Sequence, residues 1–316
     1  MNRYLIFGAG AVGTLLGGLL ANAGHQVTFI GRKWNIDGIQ NQGIHISGKW
    51  GEHQTKPLPA YESIDHIPNH SRHFDQIIIT VKAFDTQQAI QSCAALVNDD
   101  TLVISCQNGY GNCQTIAEAI GWNHTLGARV ITGVELPQPG VIEVNVHADA
   151  IRLGHYQRQF PLDRLESITS AMREANIPVE STESLEQYIW AKILYNSALN
   201  PLGALLNATY GELADNQSTR SIMDQIIEEA FQVTRKCGIR QFWPSANKYR
   251  DAFYKDMIPS TAAHYPSMLR DIEKNRRTEI DALNGAIVKF GQKNNVPTPV
   301  NQTLVALLKF RELKTD

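Results

Sequence analysis

Apolar positions follow two rhythms along the chain. In the first half, short unbroken apolar runs alternate with helical periods. Arg3–Phe7, Gln26–Ile30, Gln76–Val81 and Leu102–Cys106 read as strands, and the third run is apolar enough for a parallel sheet buried on both faces. A helix is expected from the glycine turn after Phe7 to about Ala23, and another from Asp85-Thr86 to about Leu96. Gly43–Lys56 carries short alternating strands, and Leu126–Thr132, Val141–Val146 and Arg152–Gly154 read as further strands that close the sheet at a β-rich end. From Leu162 onward helical periods take over, with spans near Glu183–Leu206, Asn216–Gly238, Leu283–Gly291 and a last helix ending near Arg311. The pattern predicts an α/β protein: an N-terminal Rossmann-type doubly wound sheet over residues 1–178, then an all-helical C-terminal domain over 179–316, with the boundary near 175–183 at Asn176-Ile177-Pro178 and one strand left open at Ile177–Val179. A length of 316 residues suits two cores better than one.

The first turn has its own chemistry. Gly8-Ala9-Gly10-Ala11-Val12-Gly13 fits G-x-G-x-x-G between a strand and a helix, with a second strand following. Gly8 permits the tight turn, Gly10 lets a pyrophosphate approach the backbone, and Gly13 lets the helix pack on the strand. The helix N-terminus adds free N–H groups and a positive dipole end. At the end of the second strand, a site for NAD usually carries an acidic residue. This chain has Gly31-Arg32-Lys33 instead, and a guanidinium there suits the 2′-phosphate of NADP. A solvated basic turn is the competing reading. Two further strand tips carry polar residues, where doubly wound sheets bind ligands. Lys82 is expected to contact cofactor or substrate, or to point to water, and Asn108 to hydrogen-bond a nicotinamide ribose or a substrate oxygen, or to serve only as the turn residue of Asn108-Gly109.

In the second half, Tyr188–Pro201 is apolar almost all round, yet Lys192, Asn196 and Asn200 fall at i, i+4 and i+8. That sets an ammonium and two amides in one stripe about 12 Å long. Burial makes a lysine's charge costly unless paired and moves it toward proton exchange near neutrality, as carbonyl reduction requires. A lysine reaching past its own stem to water is the alternative. Ser267 opens an apolar-periodic run after a proline, as a helix N-cap would. Glu279 and Asp281 begin another helix, where the dipole favours acids.

Composition narrows the partners. Hydrophobic residues make 43% of the chain and charged residues 19%, with a net charge of −2, so no basic excess points to nucleic acid. Cys93, Cys106, Cys113 and Cys237 lack C-x-x-C spacing and read as reduced thiols. Leu5–Ala23 imitates a signal peptide, but its five glycines spoil a hydrophobic helix. No other run approaches the ~20 apolar residues that span a bilayer, so a cytoplasmic location and no membrane partner are expected. His66, His70 and His73 share a loop without ligand spacing, and no metal site is expected.

These stretches, in order, resemble the ketopantoate reductase (2-dehydropantoate 2-reductase) family over nearly the whole chain. The resemblance rests on Gly8–Gly13, Val81-Lys82-Ala83, Asn108-Gly109, Trp190–Asn196 with Asn200-Pro201, Pro266–Asp271, and Thr278–Asp281 with Asn284-Gly285. It implies a Rossmann domain, a helical domain and a cleft between them. It implies NADPH-dependent reduction of 2-dehydropantoate to pantoate on the route to pantothenate and coenzyme A. Lys192 would be the general acid, with Glu279 pairing with it or with the substrate. Asn108, Asn196, Asn200 and Ser267 would hold the substrate. Lys82 and Asn108 would sit at the cofactor–substrate junction, and Arg32 on the 2′-phosphate. The chain departs from the family's glycine-rich, histidine-containing turn at Pro139–Asp149, which leaves another small 2-oxo acid open as substrate. A regulator that binds NADP without chemistry is the reading from a different class, and a homodimer is left open.

Overall fold

The computed structural model describes residues 1–156 and 160–313. It divides into two compact units: Met1–Gln107 with Asn112–Leu185, and Asn108–Gly111 with the described chain from Glu186 on.

The first unit is built on β1 (Arg3–Phe7), α1 (Ala11–Asn22), β2 (Gln26–Ile30), α2 (Lys33–Gln42), β3 (His45–Gly48), β4 (His53–Gln54), β5 (Ala60–Tyr61), β6 (Gln76–Ile79), α3 (Thr86–Cys93), β7 (Leu102–Ser105), α4 (Asn112–Ile120), β8 (Thr125–Arg129), β9 (Thr132–Gln138), β10 (Val141–His147), β11 (Ile151–Gly154), α5 (Leu162–Glu174) and β12 (Val179–Thr182). Its main sheet runs β12-β11-β8-β7-β6-β1-β2-β5. Neighbours from β5 to β8 pair in parallel, and β11 joins β8 antiparallel. The strands β1, β6 and β7 are buried along nearly their whole length, as their unbroken apolar runs require. The doubly wound reading holds, with the order reversing at β1 and β6, where such sheets bind ligands.

Two expectations shift. Val141–Val146 was read into the main sheet, but β9 and β10 pair with β3 and β4 in a separate four-stranded sheet, ordered β4-β3-β10-β9. The reason lies in β10, where Ile142 and Val144 are buried while Glu143 and Asn145 are exposed. A one-sided strand of this kind covers a helix rather than joining a layer buried on both faces. The helix is α1, which runs between the two sheets. A Cβ at Gly17 would lie 2.4 Å from Phe29 of the main sheet, and one at Gly18 would lie 3.0 Å from Ile44 and Ile46 of the small sheet. The glycines that spoil a signal peptide therefore let this helix pack on both sides.

The second shift concerns Val179–Thr182. These residues pair in parallel with β11, so the first unit runs past Pro178 to Leu185. Backbone pairing claims them although the neighbouring periods are helical.

The second unit holds α6 (Leu185–Leu206) from Glu186 on, α7 (Tyr210–Asp215), α8 (Gln217–Lys236), α9 (Ala246–Ala252), α10 (Ser267–Glu273), α11 (Asn284–Lys293) and α12 (Pro299–Leu313). Trp190, Leu194, Leu199, Ile227, Tyr249 and Ile287 centre its core. A buried polar chain crosses that core. Glu229 accepts from the backbone N–H groups of Val300 and Asn301, at 2.9 and 3.0 Å, and from the Asn301 side chain at 2.7 Å. Asn284 donates to Asn301 Oδ1 at 3.0 Å and to the Ser197 carbonyl of α6 at 3.1 Å. A carboxylate at the start of α12 meets the positive end of that helix. Among the described residues no helix is long and apolar enough to cross a membrane.

Candidate active site

In the first unit, the backbone after β1 turns sharply at Gly8, whose φ is +117°. The Gly8 and Ala9 N–H groups both donate to the Ile30 carbonyl at 2.9 Å. Thr80 Oγ1 donates to the Gly8 carbonyl at 2.6 Å. A Cβ at Gly13 would lie 2.2 Å from the Gly8 oxygen and 2.5 Å from Thr80 Oγ1, and one at Gly31 would lie 2.6 Å from the Ala9 Cβ. These glycines are demanded by the protein's own packing. Gly10 is different. Its φ of −86° suits any residue, and a Cβ there would meet nothing within 4 Å. Gly10 thus keeps clear a space on the solvent side of the loop. It also caps α1, where no side chain bonds the first N–H groups and no acid lies in the first turn. A helix end of this kind, with backbone access, has the chemistry to receive an anion such as a pyrophosphate.

Arg32 lies exposed at the end of β2, in the N-cap position of α2, and makes no side-chain capping bond. Lys33, by contrast, is held 3.1 Å from Asp37 one turn on. Arg32 is thus not used in capping its own helix, while Lys33 is partly neutralised within that helix. Lys82 follows β6 at the start of a 3-10 turn, Ala83–Asp85, and is half-buried.

The second unit assembles a charged chain from three distant parts of the sequence. Gly109 adopts φ +84°, and a Cβ there would lie 2.5 Å from both the Cβ and the oxygen of Ala282. Tyr110 donates its N–H to the Ala282 carbonyl at 2.9 Å, packs on Trp190 and Phe290, and donates its hydroxyl to Glu186 at 3.2 Å. Burial pushes the Glu186 carboxyl above its usual range, and the tyrosine hydroxyl opposes that shift. Held this way, Asn108 accepts from Lys192 Nζ at 2.6 Å through Oδ1 and donates through Nδ2 to Glu279 Oε2 at 3.1 Å. An ammonium only donates and a carboxylate only accepts, so the pair fixes the orientation of the amide between them. Glu279 is 7% exposed, and Lys192 and Asn108 are half-buried. Thr278, beside Glu279, is clamped by Glu312, which accepts from its N–H at 2.7 Å and its hydroxyl at 2.6 Å.

The other expected residues are placed unevenly. Asn196 lies half-buried one turn from Lys192 on α6. Asn200 is 4% exposed, and its Oδ1 accepts from the Tyr210 hydroxyl at 2.8 Å. Ser267 is exposed at the first position of α10; the N-cap is Pro266, so the serine does not cap that helix. Asp281 is taken up by Arg277 at 3.2 Å and Lys309 at 2.7 Å. Among the described residues, no group of three or more His, Cys, Asp or Glu side chains could hold a metal ion. All four cysteines are free, and burial pushes the Cys93, Cys106 and Cys113 thiols up to about 12, which leaves them protonated at neutral pH.

Two sequence profiles match in tandem: ketopantoate reductase PanE/ApbA over residues 4–158, and the C-terminal region of the same family over residues 184–312. A 2-dehydropantoate 2-reductase of Aquifex aeolicus (strain VF5) is 38% identical over 311 residues, 98% of this chain and 97% of that protein. The chain belongs to the ketopantoate reductase family. It is accordingly an oxidoreductase of the class that acts on CH–OH groups. Among solved structures, a PanE/ApbA family ketopantoate reductase from Ralstonia eutropha JMP134 is 27% identical with a TM-score of 0.87, covering 99% of each chain. A D-mandelate dehydrogenase with NADH and anilino(oxo)acetate shares the fold at a TM-score of 0.88 and 24% identity, again over 99% of each chain.

Some of the supports around these ketopantoate reductase motifs had no signal in the sequence. Thr80 falls in the Gln76–Val81 run, and nothing local in the sequence singles out Tyr110 or Glu312. Their partners lie 72, 76 and 34 residues away. The glycine loop makes a two-sided prediction. Gly13→Ala should destabilise the protein by about 1–3 kcal/mol, because its methyl overlaps backbone oxygen. Gly10→Ala should cost under about 1 kcal/mol, as an ordinary N-cap change. Urea unfolding of both variants checks the contrast, and equal losses would contradict it.

Proposed function

We propose that the protein reduces 2-dehydropantoate to pantoate with NADPH, in the route to pantothenate and coenzyme A, and that Lys192 is the general acid. The observation that carries this reading is the Lys192–Asn108–Glu279 chain, in a protein of this family. When bound, the nicotinamide cofactor supplies hydride to the carbonyl carbon. Lys192 gives a proton from Nζ to the carbonyl oxygen, so one N–H bond breaks as one O–H bond forms, and water restores the lysine's proton afterwards. Asn108 holds Nζ in a fixed direction before reaction, which removes part of the orientational cost. Glu279 balances the ammonium through the shared amide, so the pair carries little net charge in a half-buried setting.

The remaining roles follow the local chemistry. Gly8, Ala9, Gly10, Ala11, Val12 and Gly13 would receive the pyrophosphate, supported by the clear face of Gly10 and the uncapped start of α1. Arg32 would take the 2′-phosphate, supported by its exposure and by the missing acid at the end of β2. Lys82 would meet the cofactor. Asn108, Asn196, Asn200 and Ser267 would hold the substrate, Asn108 beside its bonds to Lys192 and Glu279 and Asn200 beside its bond from Tyr210. A second substrate reading, reduction of another small 2-oxo acid, is favoured by the departure at Pro139–Asp149 and by the fold shared with a D-mandelate dehydrogenase. A regulator without chemistry would have no use for an ammonium positioned in this way. A cytoplasmic location fits the reaction.

A panel of 2-oxo acids, assayed by loss of NADPH absorbance, tests the substrate. Fastest turnover is expected with 2-dehydropantoate, and a clear preference for another acid would reassign it. Lys192→Ala should lower kcat by about 10²–10⁴-fold while NADPH still binds; near-normal turnover would remove the general-acid role. Arg32→Asp should weaken NADPH much more than NADH, read from the two dissociation constants. An equal effect on both would mean that Arg32 does not meet the 2′-phosphate.

A further inference from the structure

Asn35 is 2% exposed and uses its whole side-chain amide. Nδ2 donates to the Ala9 carbonyl and to Thr14 Oγ1, each at 2.9 Å, and Oδ1 accepts from the Gly140 N–H at 2.8 Å. It thereby joins three places: the glycine loop, the first turn of α1, and the turn between β9 and β10. Its own N–H donates to the Arg32 carbonyl at 3.0 Å, at the start of α2. The same helix lies tight against that turn, since a Cβ at Gly38 would sit 2.5 Å from Pro139. The turn is held in addition from β3, whose His45 N–H donates to the Gly140 carbonyl at 2.8 Å.

We infer that Asn35 is a cofactor-positioning residue, and that through it the Pro139-Gly140 turn helps to set the glycine loop. The inference rests on the cofactor reading above. The peptide between Ala9 and Gly10 is planar, so its two polar ends fix its tilt. One end is the Ala9 oxygen, held by Asn35; the other is the Gly10 N–H, which donates to the Gly8 oxygen at 2.7 Å. That tilt decides where the open face of Gly10 points. The bond to Thr14 fixes the outgoing side of the same loop, because the Thr14 N–H donates to the Gly10 carbonyl at 2.8 Å. A buried amide used at three points, one on the loop and one on the helix turn that follows it, gives the loop a single conformation. The departure at Pro139–Asp149 thus bears on the dinucleotide side of the protein through Gly140.

The test uses the full-length protein and three measurements: the NADPH dissociation constant by fluorescence titration, kinetics at saturating NADPH, and thermal unfolding. Asn35→Asp keeps the acceptor for Gly140 and removes the donors to the Ala9 carbonyl and to Thr14. It should raise the NADPH dissociation constant by about tenfold or more, while the KM for the 2-oxo acid at saturating NADPH changes by less than about twofold. Thr14→Val is neutral and nearly isosteric, so it separates loop geometry from added charge. It should raise the NADPH constant by about threefold, as expected for one lost hydrogen bond. Should Asn35→Asp fail to fold, Thr14→Val decides. A folded Asn35→Asp or Thr14→Val protein that binds NADPH as wild type does would overturn the inference, as would an equal rise in the 2-oxo acid KM. Wild-type protein that binds neither NADPH nor NADH would overturn the cofactor reading itself, and this inference with it.

Discussion

A side-chain amide can accept from an ammonium and donate to a carboxylate at the same moment, and the helical unit depends on one such group. Asn108 stands between Lys192 and Glu279, accepting from the ammonium and donating to the carboxylate. Without the amide, two charged groups in a half-buried setting would each lose a partner, which is costly. The surrounding structure holds that amide in place. Gly109 takes a left-handed conformation because nothing larger than hydrogen fits beside Ala282. Tyr110 anchors the short segment among Trp190 and Phe290. Glu312, close to the end of the last helix, holds Thr278 and so fixes the backbone that presents Glu279. The buried chain from Glu229 through Asn301 and Asn284 to Ser197 ties α8, α11 and α12 to the helix that carries the lysine.

The first unit solves a different problem, that of keeping a glycine loop rigid. Glycine widens the conformational choice of a chain, which works against a defined ligand site. Here the choice is removed from outside the loop. The Ile30 carbonyl receives two consecutive N–H groups, Thr80 holds the Gly8 oxygen, and Asn35 holds the Ala9 oxygen. Behind the loop, α1 packs on two sheets at once through Gly17 and Gly18. Of the loop glycines Gly8, Gly10 and Gly13, Gly10 alone is left with space that the protein does not fill. Rigidity and access are thus divided among neighbouring glycines, each with a different reason for its missing side chain.

By itself, the sequence determined the elements whose signal is local. Unbroken apolar runs marked the parallel strands, the glycine spacing marked the turn into α1, and the helical period set Lys192, Asn196 and Asn200 on one stripe. Such patterns repeat within a few residues, so they survive without knowledge of partners. The resemblance carried by Trp190–Asn196 and Thr278–Asp281 added the family. Tertiary structure alone decided what depends on distant pairing. It put β10 beside β3, almost a hundred residues earlier, and made a second sheet of them. It drew Val179–Thr182 into the main sheet against the helical trend around them. It gave Asn200 to Tyr210, moved the N-cap from Ser267 to Pro266, and brought Asn108 to Lys192 and Glu279 across 84 and 171 residues. Asn35 belongs with these. A single amide in a polar helix has no periodic signature, and its three hydrogen bonds exist only once the loop, the helix and the hairpin turn have been packed together.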